Sequence, residues 1–426
     1  MQAQLNKNWK SKFFSIWLGQ AFSLLGSQIV QFTLIWYLTK ETGSAAVLAT
    51  STFVSLLPDV LFAPFIGALV DRWDRKRIMI VADLFIAVVT FILIILFKTE
   101  QIKIGFIYLA LFLREVGSTF HWPSMRSSTS LLVPKDQMAR AEGMNQTIRG
   151  LLNVIGPPFA ALLLEKYAIH SILFIDIITA LIAVTPLLFV SIPKPVESTK
   201  KSLSSVSELF KEIKLGFQYL WNWKGMFLLA MIATLLNFLI NPGFTLLPLL
   251  VTQHFLGGAV ELSLVESAFG IGAIAGGLIL STWGGFKKRI FTTLSGIIGM
   301  GLGILLVAVA PSTQFKVALA GIFITGVMNP IANGALFAIM QSNVSPEMQG
   351  RVFTTLSSMT NSMSPISMLI AAPVAGIVGI QGWFYIGGIG CVLMGLLGLL
   401  NPLLINVENE GQRRMKSAEC EQATNQ

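Results

Sequence analysis

The chain has 426 residues, 54% of them hydrophobic and 12% charged, where a soluble domain carries roughly 25% charged residues. That composition excludes an ordinary soluble protein and points to an integral membrane protein. The net charge of +9 does not mark a nucleic-acid binder, because the basic residues stand in breaks between apolar runs, where they set topology and contact anionic lipid.

Apolar runs of about 20 residues, long enough to cross a bilayer, can be laid down twelve times: 13–38, 46–70, 78–97, 104–123, 138–164, 169–191, 226–252, 260–283, 290–310, 316–340, 352–378 and 383–405. The first is too long for a signal-peptide core and lacks a small-residue cleavage site near its end, so it is expected to be a retained helix. The second ends in Gly67–Arg77, GALVDRWDRKR, where Asp71, Arg72, Asp74, Arg75, Lys76 and Arg77 form a hairpin too basic to enter lipid. With the amino terminus inside, the cytoplasmic segments hold 23 of the 30 Lys and Arg residues and the outer segments hold five; Arg114 and Arg149 lie within spans. That bias predicts a multi-pass protein with both termini cytoplasmic.

The longest polar break, Ser191 to Lys224, contains Leu203, Val206, Leu209, Phe210, Ile213 and Phe217 at helical spacing. The spacing predicts a short amphipathic linker helix on the inner membrane surface. The flanking halves repeat at an offset of 212 residues: Trp9 and Lys12 match Trp221 and Lys224, Arg75, Lys76 and Arg77 match Lys287, Lys288 and Arg289, and Pro134 matches Pro346. Duplicated six-helix halves are a hallmark of transporters that rock one half against the other. The expected domains are an N-terminal half (1–192), a cytoplasmic linker (193–225), a C-terminal half (226–405) and a cytoplasmic tail (406–426).

Chemistry is sought where ionisable groups enter the spans. Asp59 lies 12 residues from Asp71, ~18 Å along a helix, and Arg114, Glu115 and Arg149 also fall near the midplane. Such groups face water or one another and mark pathways or proton relays; two acids and two bases could equally balance as static ion pairs. Asp59 and Glu115 are the expected proton carriers, with Arg114 and Arg149, which do not deprotonate, as fixed counter-charges. Asp83 and Asp176 are weaker candidates for that role and read rather as structural pairs, and His121, which could join a proton path, reads rather as a satisfied histidine near the inner interface. Glu266 is placed near the outer surface.

Neutral polar stripes recur at every third span: Gln20, Ser23, Ser27 and Gln31; Arg114, Ser118 and His121; Thr234, Asn237, Asn241 and Thr245; Thr325, Asn329 and Asn333. Polar faces in lipid need a partner or water, so the recurrence predicts a shared substrate cavity using Gln20, Ser27, Gln31, Ser118, Asn237, Asn241, Asn329 and Asn333. Helix breakers also repeat: Gly150, Gly156, Pro157 and Pro158 in span five, Pro365, Pro373 and Gly376 in span eleven. The chain has no Gly-Lys dipeptide for a P-loop, its histidines have no metal-ligand spacing, and Cys391 and Cys420 suggest no bridge. No enzyme, metal or cofactor is expected.

Several stretches carry a more specific resemblance: GALVDRWDRKR, LFLREVGSTFHWPS in span four, LLVPKDQMARAEG after it, WGGFKKR between spans eight and nine, PEMQGRVF before span eleven, and NWKSKFFSIWLGQAFSLLGS at the start. Together they resemble the macrolide efflux proteins, a drug:proton antiporter branch of the major facilitator superfamily. The resemblance implies an all-α polytopic fold of twelve transmembrane helices in two pseudo-repeated halves, acting as a monomer in a bacterial cytoplasmic membrane. It also implies efflux of small amphipathic compounds with protons as the coupling ion. Gly67, Asp71, Arg72, Arg75, Lys76 and Arg77 match a conformational-switch motif, with Asp71 in the place of the acid that contacts the start of span eleven and Arg75 as its charge-relay partner. Arg114 matches the intramembrane arginine of span four, although Ser118 stands where a glycine is usual. In span five Gly156 and Pro157 fit the antiporter pattern, while Ala160 and Ala161 replace its glycine pair.

Two other readings stay open on the residues. A transporter of a sugar, metabolite or lysolipid on the same fold would suit the Asn and Gln stripes. A non-transporting sensor or scaffold would need a partner surface larger than the polar tail.

Overall fold

Lipid offers the backbone no hydrogen-bond partners, so an apolar run satisfies its own amides by coiling. The computed structural model accordingly contains no strand among the described residues. It describes residues 9–134, 137–190 and 206–414, apart from the side chains at 63–65, 67–72, 130, 139, 206–213 and 346–347.

The helices are α1 (Trp9–Thr42), α2 (Ala45–Arg72), α3 (Arg75–Lys98), α4 (Ile104–Leu132), α5 (Met138–Lys166), α6 (Ile169–Phe189), α7 (Val206–Asn222), α8 (Lys224–Thr245), α9 (Ala259–Trp283), α10 (Arg289–Val309), α11 (Phe315–Asn343), α12 (Pro346–Leu400) and α13 (Pro402–Ile405). A short turn at Leu247–Leu249 and a π-helical turn at Leu250–His254 prolong α8. Among the described residues ten helices are long and apolar enough to cross a membrane. One of the ten is α12, which holds two of the expected spans. Gly379 breaks it at φ 76°, ψ 169°, and Trp383 Nε1 donates to Ala371 O at 2.9 Å. Twelve residues of unbroken helix would hold those groups ~18 Å apart, so the chain doubles back at the glycine. The remaining expected span is α4, which carries Arg114, Glu115 and Arg126 and stands outside the ten.

The described residues divide into two units: 9–190 with 258–263, and 206–257 with 264–414. In the first, α1 packs on α5 and α6, α3 on α4 and α6, and α2 on α4. In the second, α10 packs on α11 and α12, and α8 also packs on α12. Close approach there rests on glycine: a Cβ on Gly303 would stand 2.6 Å from Gly321 O, and one on Gly321 would stand 2.5 Å from Gly303 O.

The linker helix forms where the apolar spacing places it, but as part of the second unit. Leu220 and the neighbouring Trp223 are fully buried, and a Cβ on Gly216 would meet Arg351 O at 2.7 Å. Its other side leaves Phe217 and Trp221 exposed and stacked, an apolar surface suited to a bilayer interface. The segment after Ile405 is also structured: residues 407–414 are helical, Val407 is fully buried, and Glu408 Oε1 accepts from Ile290 N at 2.8 Å.

Candidate functional site

Polar side chains in the first unit fall into tiers because they repeat every seven residues, two helical turns, on three helices. The upper tier joins Ser27 of α1, Thr90 of α3, Arg114 of α4 and Asp176 of α6. Asp176 accepts from Ser27 Oγ at 3.2 Å and Thr90 Oγ1 at 2.6 Å, and Arg114 Nη1 donates to both Asp176 and Thr90. Arg114 is 6% exposed and Asp176 2%, so each charge depends on the other for compensation. Seven residues along each helix lie Gln20, Asp83 and His121. Asp83 accepts from Gln20 Nε2 and Ser23 Oγ, both at 3.1 Å, and His121 Nε2 stands 3.5 Å from Asp83 Oδ2. Asp176 thus takes the pairing place expected of it, whereas Asp83 accepts from neutral groups and His121 Nε2 has no hydrogen-bond partner among the described residues.

The four midplane charges expected to act together are divided by the fold. Asp59 and Glu115 both lie on the packed pair α2 and α4: Thr119 Oγ1 of α4 lies 2.5 Å from Asp59 Oδ1 and, within its own helix, 2.7 Å from the backbone carbonyl of Glu115. Neither forms an ion pair among the described residues. Arg114 turns instead to Asp176. Arg149 lies 3.0 Å above the Trp122 ring, a cation–π contact that takes the place of a carboxylate partner.

The eight expected cavity residues also separate. Gln20 is fully buried on Asp83 and Ser27 is bonded to Asp176, so both hold the first unit together internally. Gln31 is exposed and Ser118 half-buried. Asn237, Asn241, Asn329 and Asn333 line one cavity of ≈ 370 Å³ in the second unit, with Phe244, Phe269, Met300 and Leu336 among its apolar walls. No charged side chain lines it. Asn237 donates to Ala233 O at 2.9 Å, Asn333 to Asn329 O at 3.1 Å, and Asn241 to Ser364 Oγ at 2.6 Å. An amide that donates to a backbone carbonyl must turn its own oxygen elsewhere, which leaves Asn237 and Asn333 with acceptor capacity.

In the switch motif, the side chains of Gly67, Asp71 and Arg72 lie outside the described residues. Asp74 caps α3 by accepting from Lys76 N at 3.0 Å and Arg77 N at 3.4 Å. Arg75 donates to Ser127 O of α4 and Lys76 to Leu188 O of α6, both at 3.1 Å; Arg77 is largely exposed, 3.8 Å from Asp74. The hairpin thereby ties three helix ends of the first unit together. In the second unit Arg289 makes the corresponding bond, to Ala338 O of α11 at 2.8 Å.

A family model for the Major Facilitator Superfamily matches residues 16–367. The chain is 35% identical over 381 residues to Macrolide efflux protein A of Streptococcus pyogenes, covering 89% of this chain and 93% of that protein. It is 34% identical over 326 residues to Macrolide efflux protein A of Enterococcus faecalis, covering 76% of this chain and 100% of that one. Among solved structures, a bacterial homologue of the iron transporter ferroportin in an inward-facing state is similar in fold, with a TM-score of 0.71 at 14% identity over 93% of this chain and 98% of that one.

Proposed function

We propose that this chain, which belongs to the Major Facilitator Superfamily, exports amphipathic drugs, macrolides among them, in exchange for protons by alternating access. The cavity of the second unit carries this reading: amide groups set among Phe, Met, Leu and Ile side chains suit a cargo with a few hydrogen-bonding groups on a large apolar body. A sugar would need more polar partners than those walls offer. The Streptococcus pyogenes and Enterococcus faecalis relatives, both called Macrolide efflux protein A, support the same cargo class.

In this reading Asp59 and Glu115 carry the proton, since among the described residues no ion pair holds either carboxylate and ionisable groups at membrane depth mark proton pathways. In the same reading the basic-loop end faces the cytoplasm, which the distribution of Lys and Arg supports. The energetics suffice: a potential of ~100 mV contributes ~2.3 kcal/mol per charge. Each pH unit adds ~1.4 kcal/mol, so one proton sustains a drug gradient of roughly a few hundredfold.

The test is accumulation of a labelled macrolide and of a cationic dye in drug-sensitive bacteria expressing the chain, with and without a protonophore. Lower macrolide accumulation that the protonophore restores is expected. Unchanged accumulation of both compounds, with the protein present in the membrane, would sink the proposal.

A further inference from the structure

The lower tier of the first unit has a charge imbalance that the upper tier lacks. Above, Asp176 is neutralised by Arg114. Below, Asp83 is 3% exposed and receives hydrogen bonds only from the neutral Gln20 and Ser23, which share its charge without cancelling it. The group able to cancel it is His121, 6% exposed, whose Nε2 lies 3.5 Å from Asp83 Oδ2. That nitrogen and Gln20 Oε1 are both buried polar atoms without a hydrogen-bond partner. Such atoms are rare in folded proteins because each one is expensive to leave unsatisfied. Here one of them stands beside the carboxylate and the other belongs to the amide that donates to it.

The surroundings isolate this cluster. One turn from Gln20, Asp83 and His121 toward the basic-loop end stand Ile16, Met79 and Met125, which form with Leu187 a buried apolar layer. On the other side is the Arg114–Asp176 tier, ~10 Å away by helical rise. The charged and titratable groups around His121 are Asp83 from α3, Arg114 of α4 and Asp176 of α6 in the next tier, Arg149 of α5 on the adjacent Trp122 ring, and Asp59 of α2, bonded to Thr119; α1 presents Gln20 and Ser23.

We propose that Asp83 and His121 together hold one exchangeable proton that is bound and released during the transport cycle, a site additional to Asp59 and Glu115. The inference rests on the proton-driven reading above. On binding, the proton makes the His121 ring an imidazolium that pairs with the Asp83 carboxylate, leaving the tier neutral. On release, a neutral imidazole and a lone buried carboxylate remain, a state of higher energy that favours rearrangement of α1, α3 and α4 around it.

The experiment uses the full chain in proteoliposomes with an entrapped pH dye, following macrolide export and proton flux across a range of internal pH. Wild type is compared with Asp83→Asn, His121→Gln and the double variant, which is neutral and keeps hydrogen-bonding groups at both positions. The expected result is unchanged macrolide binding in detergent, while the half-maximal pH of export shifts by about one unit or the pH dependence flattens. Should the single variants not fold, the double variant decides, because it buries no charge. Wild-type pH dependence in folded, drug-binding variants would show the pair to be structural while leaving proton-driven export intact. Absence of proton flux in wild type would overturn the proton-driven reading and this inference with it.

Discussion

In the first unit α1, α3, α4 and α6 close around Asp83, His121, Arg114 and Asp176, while in the second α8, α10 and α11 close around amides, aromatic rings and a cavity without charge. The halves repeat in sequence and share a helical plan, so the backbone does not dictate this contrast. It comes from side chains at equivalent depths. A charge inside a membrane protein requires a partner, and where partners are tightly held the space between helices closes. Neutral amides can bond to their own helix and leave room beside them. The comparison thus separates a unit whose helices close around charges from a unit whose described residues leave an uncharged cavity, the division on which the proposed roles of charge and cargo rest.

The largest expected effect comes from breaking the buried ion pair. Arg114→Leu leaves Asp176 uncompensated and should destabilise the protein by about 3–5 kcal/mol, seen as loss of monodisperse protein after detergent extraction; Arg114→Gln combined with Asp176→Asn should recover most of it. Recovery in the double variant but not the single one would show that the pair matters for charge balance. Glu115→Gln should abolish proton-driven export while leaving membrane insertion and macrolide binding intact. Normal export by that variant would move the coupling away from the α2–α4 contact.

Much of this architecture was legible in the chain. Twelve apolar runs became helices near their expected limits, since length and apolarity suffice to specify a span. The partners of the charges were not legible. Arg114 and Glu115 are neighbours in sequence, yet successive helical residues point about 100° apart, so one faces Asp176 across the α3–α6 side and the other faces Asp59 on α2. The polar stripes had the same ambiguity. Gln20 and Ser27 on α1, seven residues apart, and Asn237 and Asn241 on α8, four apart, each share a helix face, but the first two meet aspartates and the second two line the cavity. The seven-residue repeat shared by Gln20 and Ser27, Asp83 and Thr90, and Arg114 and His121 was the available signal for the tiers. The linker helix was legible as amphipathic; its burial against the second unit needed Gly216, Leu220 and Trp223 in three dimensions.

Smaller effects sharpen the comparison further. Gly303→Leu in the second unit should cost about 1–3 kcal/mol or more through overpacking against Gly321, measured as a fall in thermal midpoint; an unchanged midpoint would contradict the close α10–α11 approach. Helix capping is expected to matter least. Asp74→Ala removes a local cap from α3 and Glu408→Ala removes from α10 a cap supplied by the chain end, each worth about 0.5–2 kcal/mol. Similar falls in the two variants would show that the second unit uses its C-terminal helix where the first uses its hairpin.

The division between charge and cargo is tested most directly by measuring macrolide affinity and proton-driven transport side by side in Glu115→Gln and in Asn237→Leu. Glu115→Gln should keep its affinity and lose driven transport, whereas Asn237→Leu should lose affinity and keep its proton response at saturating drug. Weakened binding in the first and normal binding in the second would contradict that division.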